Sequence, residues 1–256
     1  MASAEKTEKI WRGIVSSDWN ECLCQSTPFD PITFIYPELS PRLDVIFKRY
    51  TGNLITLGQA AKDALEMLPA PLSKEQMDAY LDVSFRPYRG VLELIRWCLK
   101  NDILFVINTT AFQGYFQRAS AKGLIPPGTV IAANPSVSYG SEGKFSSPVY
   151  SIDEIEDKAK VSATIMQSLK IGPSQVVVMG DSGGDGPHFA WGASVGAYLI
   201  GSMTKPSLER FCRERGIKMD LHFGLTYEEG NPRDPAAETQ VDFMDLTPVI
   251  AAVLGT

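Results

Sequence analysis

The chain has 256 residues, enough at about 150 per domain for one large domain or one with a smaller companion. Apolar residues make up 44% and charged residues 21%, which excludes a disordered chain. A net charge of -6 leaves no basic excess to neutralise phosphates, so general nucleic-acid binding is excluded too.

The first residues mix both charge signs and lack the apolar core of a signal peptide. No window reaches the roughly 18 apolar residues of a membrane span, so a cytoplasmic protein with no membrane partner is expected. Residues 11–17 form the first short apolar run, which predicts a strand ending just before Asp18. Cys22 and Cys24 form a C-x-C pair, while Cys98 and Cys212 stand alone. That pattern fits neither a disulfide framework nor a C-x-x-C zinc or redox motif, and reduced thiols are expected.

The next stretch opens with Pro28, Pro31, Pro37 and Pro41, then shows helical periodicity over 41–50, 57–68 and 73–83. Ser73 and Gln76 form a capping box at the start of the third. An all-helical insert after the first strand of an α/β core predicts a small cap, residues 27–85, on a core of 1–26 and 86–256.

Residues 89–100 place Val91, Leu92, Ile95 and Leu99 on one helix face and lead into a second apolar strand over 103–107. Residues 130–133 and 144–147 read as the arms of a hairpin. A helix is expected over 158–169, with Val161, Ile165 and Leu169 inward, followed by a third apolar strand over 175–179. Continuously apolar strands suit burial on both faces, so the fold expected is α/β with a Rossmann-like parallel sheet and right-handed crossovers.

The most informative segment follows that third strand. Gly180 is succeeded by Asp181 and Asp185 on a glycine-rich turn. In open α/β sheets ligands bind beyond the carboxyl ends of the strands, and two carboxylates there suit a hard cation such as Mg2+. The same string, Gly180-Asp-Ser-Gly-Gly184, also matches a serine-protease signature and the G-x-S-x-G nucleophile elbow. Both histidines, His188 and His222, follow Ser182, which rules out the chymotrypsin order, and His222 follows too closely for a hydrolase of the α/β type. The first strand delivers Asp18 to the same edge. The second delivers Asn108, Thr109 and Thr110, and Lys158 and Lys160 stand at a helix start.

This constellation, in this order, resembles the haloacid-dehalogenase-like (HAD) superfamily over most of the chain, and within it the phosphoserine-phosphatase-like branch. The segment from Leu208 to Gly216 is similar to that of methylthiopentenyl-phosphate phosphatases of the same branch. The resemblance implies a HAD-like core with a C1-type cap and a phosphatase that is Mg2+-dependent and acts on a small phosphorylated metabolite through an aspartyl-phosphate. The implied catalytic residues are Asp18, Asn20, Thr109 and Lys160, with Asn108, Thr110, Lys158 and His188 at the substrate. The implied metal ligands are Asp18, Asn20 through its carbonyl, Asp181 and Asp185. Lys158 and Lys160 compete for one role, as do Asn108 and Thr109.

The first motif departs from the family pattern Asp-x-Asp-Gly-Thr, because Asn20 stands where the second aspartate shuttles the proton. Slow turnover of unactivated substrates is therefore expected, with Glu21, His188 or a metal-bound water as the remaining bases. Two alternatives accompany this reading. One is a catalytically impaired relative that binds a phosphorylated ligand or partner. The other is a C–P bond hydrolase, since phosphonoacetaldehyde hydrolases share the Asp-Trp pair seen at Asp18-Trp19. Such an enzyme needs a cap lysine, for which Lys48, Lys62 and Lys74 are available.

Overall fold

A computed structural model describes residues 9–51, 54–140 and 149–255. Among these, seven strands form one parallel sheet: β1 Gly13–Ser17, β2 Ile103–Phe112, β3 Val130–Asn134, β4 Val149–Ser151, β5 Val176–Gly180, β6 Tyr198–Thr204 and β7 Leu221–Thr226. Their order is β4-β3-β2-β1-β5-β6-β7, a Rossmann-like α/β arrangement. The three expected strands lie side by side at its centre. Ile14 of β1 faces Leu104 on one side and Val176 on the other. These strands are apolar throughout because both faces are covered, which leaves no room for polar alternation.

Eleven α-helices flank the sheet among the described residues: α1 Asp30–Ile35, α2 Ser40–Thr51, α3 Leu57–Glu66, α4 Lys74–Ser84, α5 Val91–Lys100, α6 Gln113–Ala121, α7 Asp157–Ser168, α8 Gly186–Val195, α9 Pro206–Glu214, α10 Pro235–Glu238 and α11 Thr247–Leu254. Helices α7, α8 and α9 bury Val161, Ile165, Phe189 and Leu208 against one face. The other face is covered by α5, α6 and α11 together with most of the helical insert. None of these helices is long and apolar enough to cross a membrane.

The three insert helices expected from periodicity are present, and Ser73 and Gln76 make the capping box. Helix α1 is an addition. Pro31 sits in its first turn, where the missing N–H costs nothing. The insert shares its apolar core with the sheet: Trp19 stacks on Phe85 at 6.0 Å and meets Phe116 edge-on at 5.9 Å. Arg118 of α6 grips Asp78 of α4 through two 2.8 Å bonds, and Glu154 accepts the N–H of Leu57 at 2.9 Å.

Two expectations change. Strand β2 continues to Phe112, so Asn108, Thr109 and Thr110 lie within it, beyond the last residue paired with β1. The hairpin is not formed as expected: β3 pairs in parallel with β2 and β4, which occupy both of its edges. The other proposed arm, 144–147, lies outside the described residues.

Candidate active site

The sheet order reverses direction between β1 and β5. Loops leaving these neighbours diverge to opposite faces and leave a crevice at their carboxyl ends. Asp18 follows β1 and Asp181 follows β5, so both carboxylates open onto one cavity of about 410 Å³. Asp185 reaches back under them because residue 180 is glycine. A Cβ there would lie 2.5 Å from the Asp185 Cγ. One oxygen of Asp185 accepts the N–H groups of Asp181 and Ser182 at 2.9 and 3.3 Å. The other takes Lys158 Nζ at 2.7 Å, and the same ammonium lies 3.1 Å from Asp18.

Lys158 thus lies in the cavity wall between Asp18 and Asp185. Lys160, carried forward above as catalytic, is exposed and pairs with Asp157 on its own helix. Asp185 orients Lys158 and the turn, and both of its oxygens are engaged by these contacts.

Thr110 lines the cavity beside Tyr50, whereas Thr109 is fully buried behind it, donating to Asn20 Oδ1 at 3.4 Å. Asn108, expected at the substrate, is fully buried and absent from the cavity wall. Its amide donates to the Lys158 carbonyl at 2.8 Å and to Ser16 and Ser162 at 3.2 Å, which fixes the start of α7 on the sheet. His188 is also absent from the cavity wall. It is fully buried, with Nε2 2.9 Å from Ser162 Oγ and its ring stacked on Trp191. Burial, aided by the Lys158 charge, pushes its pKa down to about 3, so it stays neutral and shielded from the cavity. The Asn20 amide donates to the Ser26 carbonyl at 3.0 Å, a bond that a carboxylate could not make.

Several wall residues escaped the sequence reading. Lys205, at the end of β6, meets Asp181 at 2.7 Å and Glu21 at 2.5 Å. Arg233 pairs with Glu21 and with the buried Glu238, which Tyr88 and Tyr227 also hydrogen-bond. Tyr50 comes from α2. Had the run 198–204 been recognised as a strand, its carboxyl end would have singled out Lys205 by the rule that singled out Asp18.

The electrostatics follow from crowding. Burial pushes the Asp18 and Asp181 carboxyls up; Asp185 adds to this in both, whereas Lys158 and Lys205 respectively oppose it. Burial acts likewise on Asp185, but Lys158 and two backbone N–H groups outweigh it and hold this carboxyl low. Burial would lower Lys158, yet Asp18 and Asp185 raise it, so the ammonium is retained.

Ligand atoms of Asp18, Asp181 and Asp185 lie within 4.8 Å of one another. Asp18 Oδ1 and Asp181 Oδ2 are buried, and among the described residues each is met by one ammonium, of Lys158 and Lys205 respectively. Such an oxygen pair suits a hard divalent cation.

No family model and no curated relative matches the chain. Solved structures do. A phosphoserine phosphatase carrying a phospho-aspartyl intermediate analogue is 13% identical, covers 93% of this chain and 99% of its own, and superposes with a TM-score of 0.64. Cytosolic 5'-nucleotidase IIIB bound to cytidine is 12% identical, covers 95% and 86%, and has a TM-score of 0.61. A HAD-family hydrolase of Salmonella enterica serovar Typhi is 15% identical, covers 84% and 68%, and has a TM-score of 0.62. The chain has the haloacid-dehalogenase-like fold.

Proposed function

We propose that the chain is a phosphomonoester hydrolase for a small phosphorylated metabolite, with Asp18 as nucleophile. The contact of Lys158 with Asp18 on the cavity floor carries this reading. A fixed ammonium beside an attacking carboxylate holds phosphoryl oxygens and stabilises the charge that grows on them. An Asp18 oxygen forms a bond to phosphorus as the ester P–O bond breaks. The leaving oxygen departs as an alkoxide or aryloxide that takes its proton from solvent, and an aspartyl-phosphate remains. Water then attacks phosphorus, which frees phosphate and restores the carboxylate.

Mg2+, held by the Asp18 and Asp181 carboxylates and the Asn20 carbonyl, would offset the repulsion between carboxylate and phosphate. Residues 27–85 act as the cap: Phe47, Tyr50 and Thr51 of α2 face the floor and restrict what enters.

Asn20 carries no transferable proton, and Glu21 is clamped between Lys205 and Arg233. An alcohol that leaves without protonation is therefore preferred, because general acid catalysis typically supplies roughly 10²–10⁴-fold. The same asparagine favours a second reading, a protein that binds a phosphorylated ligand without turning it over. C–P cleavage lacks support: Lys48, Lys62 and Lys74 are absent from the described cavity wall, whose lysines are Lys158 and Lys205.

A panel of phosphorylated small molecules and p-nitrophenyl phosphate, assayed with Mg2+, tests the proposal. Phosphate release is expected from the wild type, faster from the aryl ester than from alkyl esters, and none from Asp18→Asn. Thermal stabilisation by panel members with no phosphate release would instead establish the second reading.

A further inference from the structure

We propose that Lys205 is a resident counter-cation that competes with the divalent metal for Asp181, so that metal entry must displace an ammonium from this carboxylate. The inference rests on the metal centre of the proposed phosphatase but concerns a residue outside the site residues that the family resemblance implies.

Four acidic side chains converge at the crevice, and two lysines divide them. Lys158 serves Asp185 and Asp18, while Lys205 serves Asp181 and Glu21. The oxygen of Asp181 that Lys205 meets, Oδ2, is buried, and among the described residues the Lys205 ammonium is its close polar contact. It is the atom a cation would take, and Nζ already stands 2.7 Å from it. Two cations drawn to one oxygen repel each other, and the repulsion is strong where water is scarce.

Lys205 cannot withdraw far, because its own N–H donates to the Asp181 carbonyl at 2.7 Å. Its ammonium can retreat to Glu21, which lies within 2.5 Å. That position is built. Glu21 adopts a left-handed backbone, φ 58°, where the family pattern has glycine, and Arg233 fixes its second oxygen. Glu21 therefore holds the displaced ammonium close to the metal carboxylate.

Calorimetric titration with Mg2+ tests this independently of turnover. Lys205→Gln is expected to bind Mg2+ at least tenfold more tightly than wild type. Glu21→Gln, which removes the carboxylate charge that draws the ammonium away from Asp181, should bind at least threefold more weakly. Arg210→Gln removes a cation from the same cavity wall whose partner is Glu229, and should shift affinity less than twofold. Unchanged affinity in Lys205→Gln, equal tightening in Arg210→Gln, or no Mg2+ binding by any of these proteins would overturn the proposal. If circular dichroism shows Lys205→Gln unfolded, the contrast between Glu21→Gln and Arg210→Gln decides: weaker binding in the first with near-unchanged binding in the second supports the proposal, and equal affinities overturn it. Phosphatase activity with unchanged affinities removes the competitor and keeps the function; tighter binding without turnover does the reverse.

Discussion

Lys158 and Lys160 show how much two positions on one helix can differ. Neighbours two apart on an α-helix project roughly 200° from each other, so only one of the pair can meet the crevice. Lys158 is buried between Asp18 and Asp185, whereas Lys160 is exposed to solvent. Lys158→Met should lower phosphate release by roughly 100-fold or more, the scale of losing one preorganised charge at a phosphoryl group. Lys160→Met should stay within about twofold, since it disrupts only an exposed i,i+3 pair. Steady-state rates on p-nitrophenyl phosphate, with circular dichroism to confirm folding, check both. Equal losses would mean that the lysines act through the helix rather than through the site.

At the scale of elements, the turn between β5 and α8 decides whether the carboxylates meet. Gly180 closes β5 against the Asp185 side chain, and an added Cβ would lie 2.5 Å from its Cγ. Gly180→Ala should therefore push Asp185 off its backbone donors and off Lys158, at a cost of about 1–3 kcal/mol. Gly184, in the same turn, has only ordinary neighbours at 3.7 and 3.8 Å. Gly184→Ala should change stability by less than about 0.5 kcal/mol. Urea midpoints for the two variants test the contrast, and equal losses would show that the turn resists any side chain. The insert behaves as an element in the same sense. Its helices are tied to the core by Asp78–Arg118 at α4 and by Glu154 at the start of α3.

For the whole molecule, the buried His188 sets a pH dependence. Its folded pKa is depressed to about 3, while the unfolded chain titrates near the usual value of about 6.5. Below pH 6.5 the unfolded state takes up a proton that the folded state refuses, so stability falls with pH until about pH 3 is passed. Asp18 and Asp181, whose carboxyls are raised, act with the opposite sign over their own range, so the histidine is best read as a difference. The stability of wild type minus that of His188→Gln should drop by about 2 kcal/mol between pH 7.5 and pH 5. Denaturant titrations at the two pH values measure it, and a flat difference would place His188 in contact with solvent.

Features dictated by a few neighbouring residues could be read directly from the amino-acid order. Strands β1, β2 and β5 were legible because burial on both faces forces a continuous apolar run, and α2, α3 and α4 because one buried stripe forces a helical period. The turn at Gly180 was legible for the same reason, since its carboxylates and glycines lie within one short segment. The remaining features depend on how distant segments pack. Strand β6 escaped because Gly201, Ser202 and Thr204 interrupt its apolar run, and β7 because it alternates half-buried with exposed residues. With β6 went Lys205. Tyr50, Lys205 and Arg233 reach the site from segments far apart in the chain, and Asn108, His188 and Lys160 leave it although their local spacing resembles that of site residues. Local period records which side of an element is buried. Which charges then meet depends on strand order and helix packing, which bring distant segments within ångströms of each other.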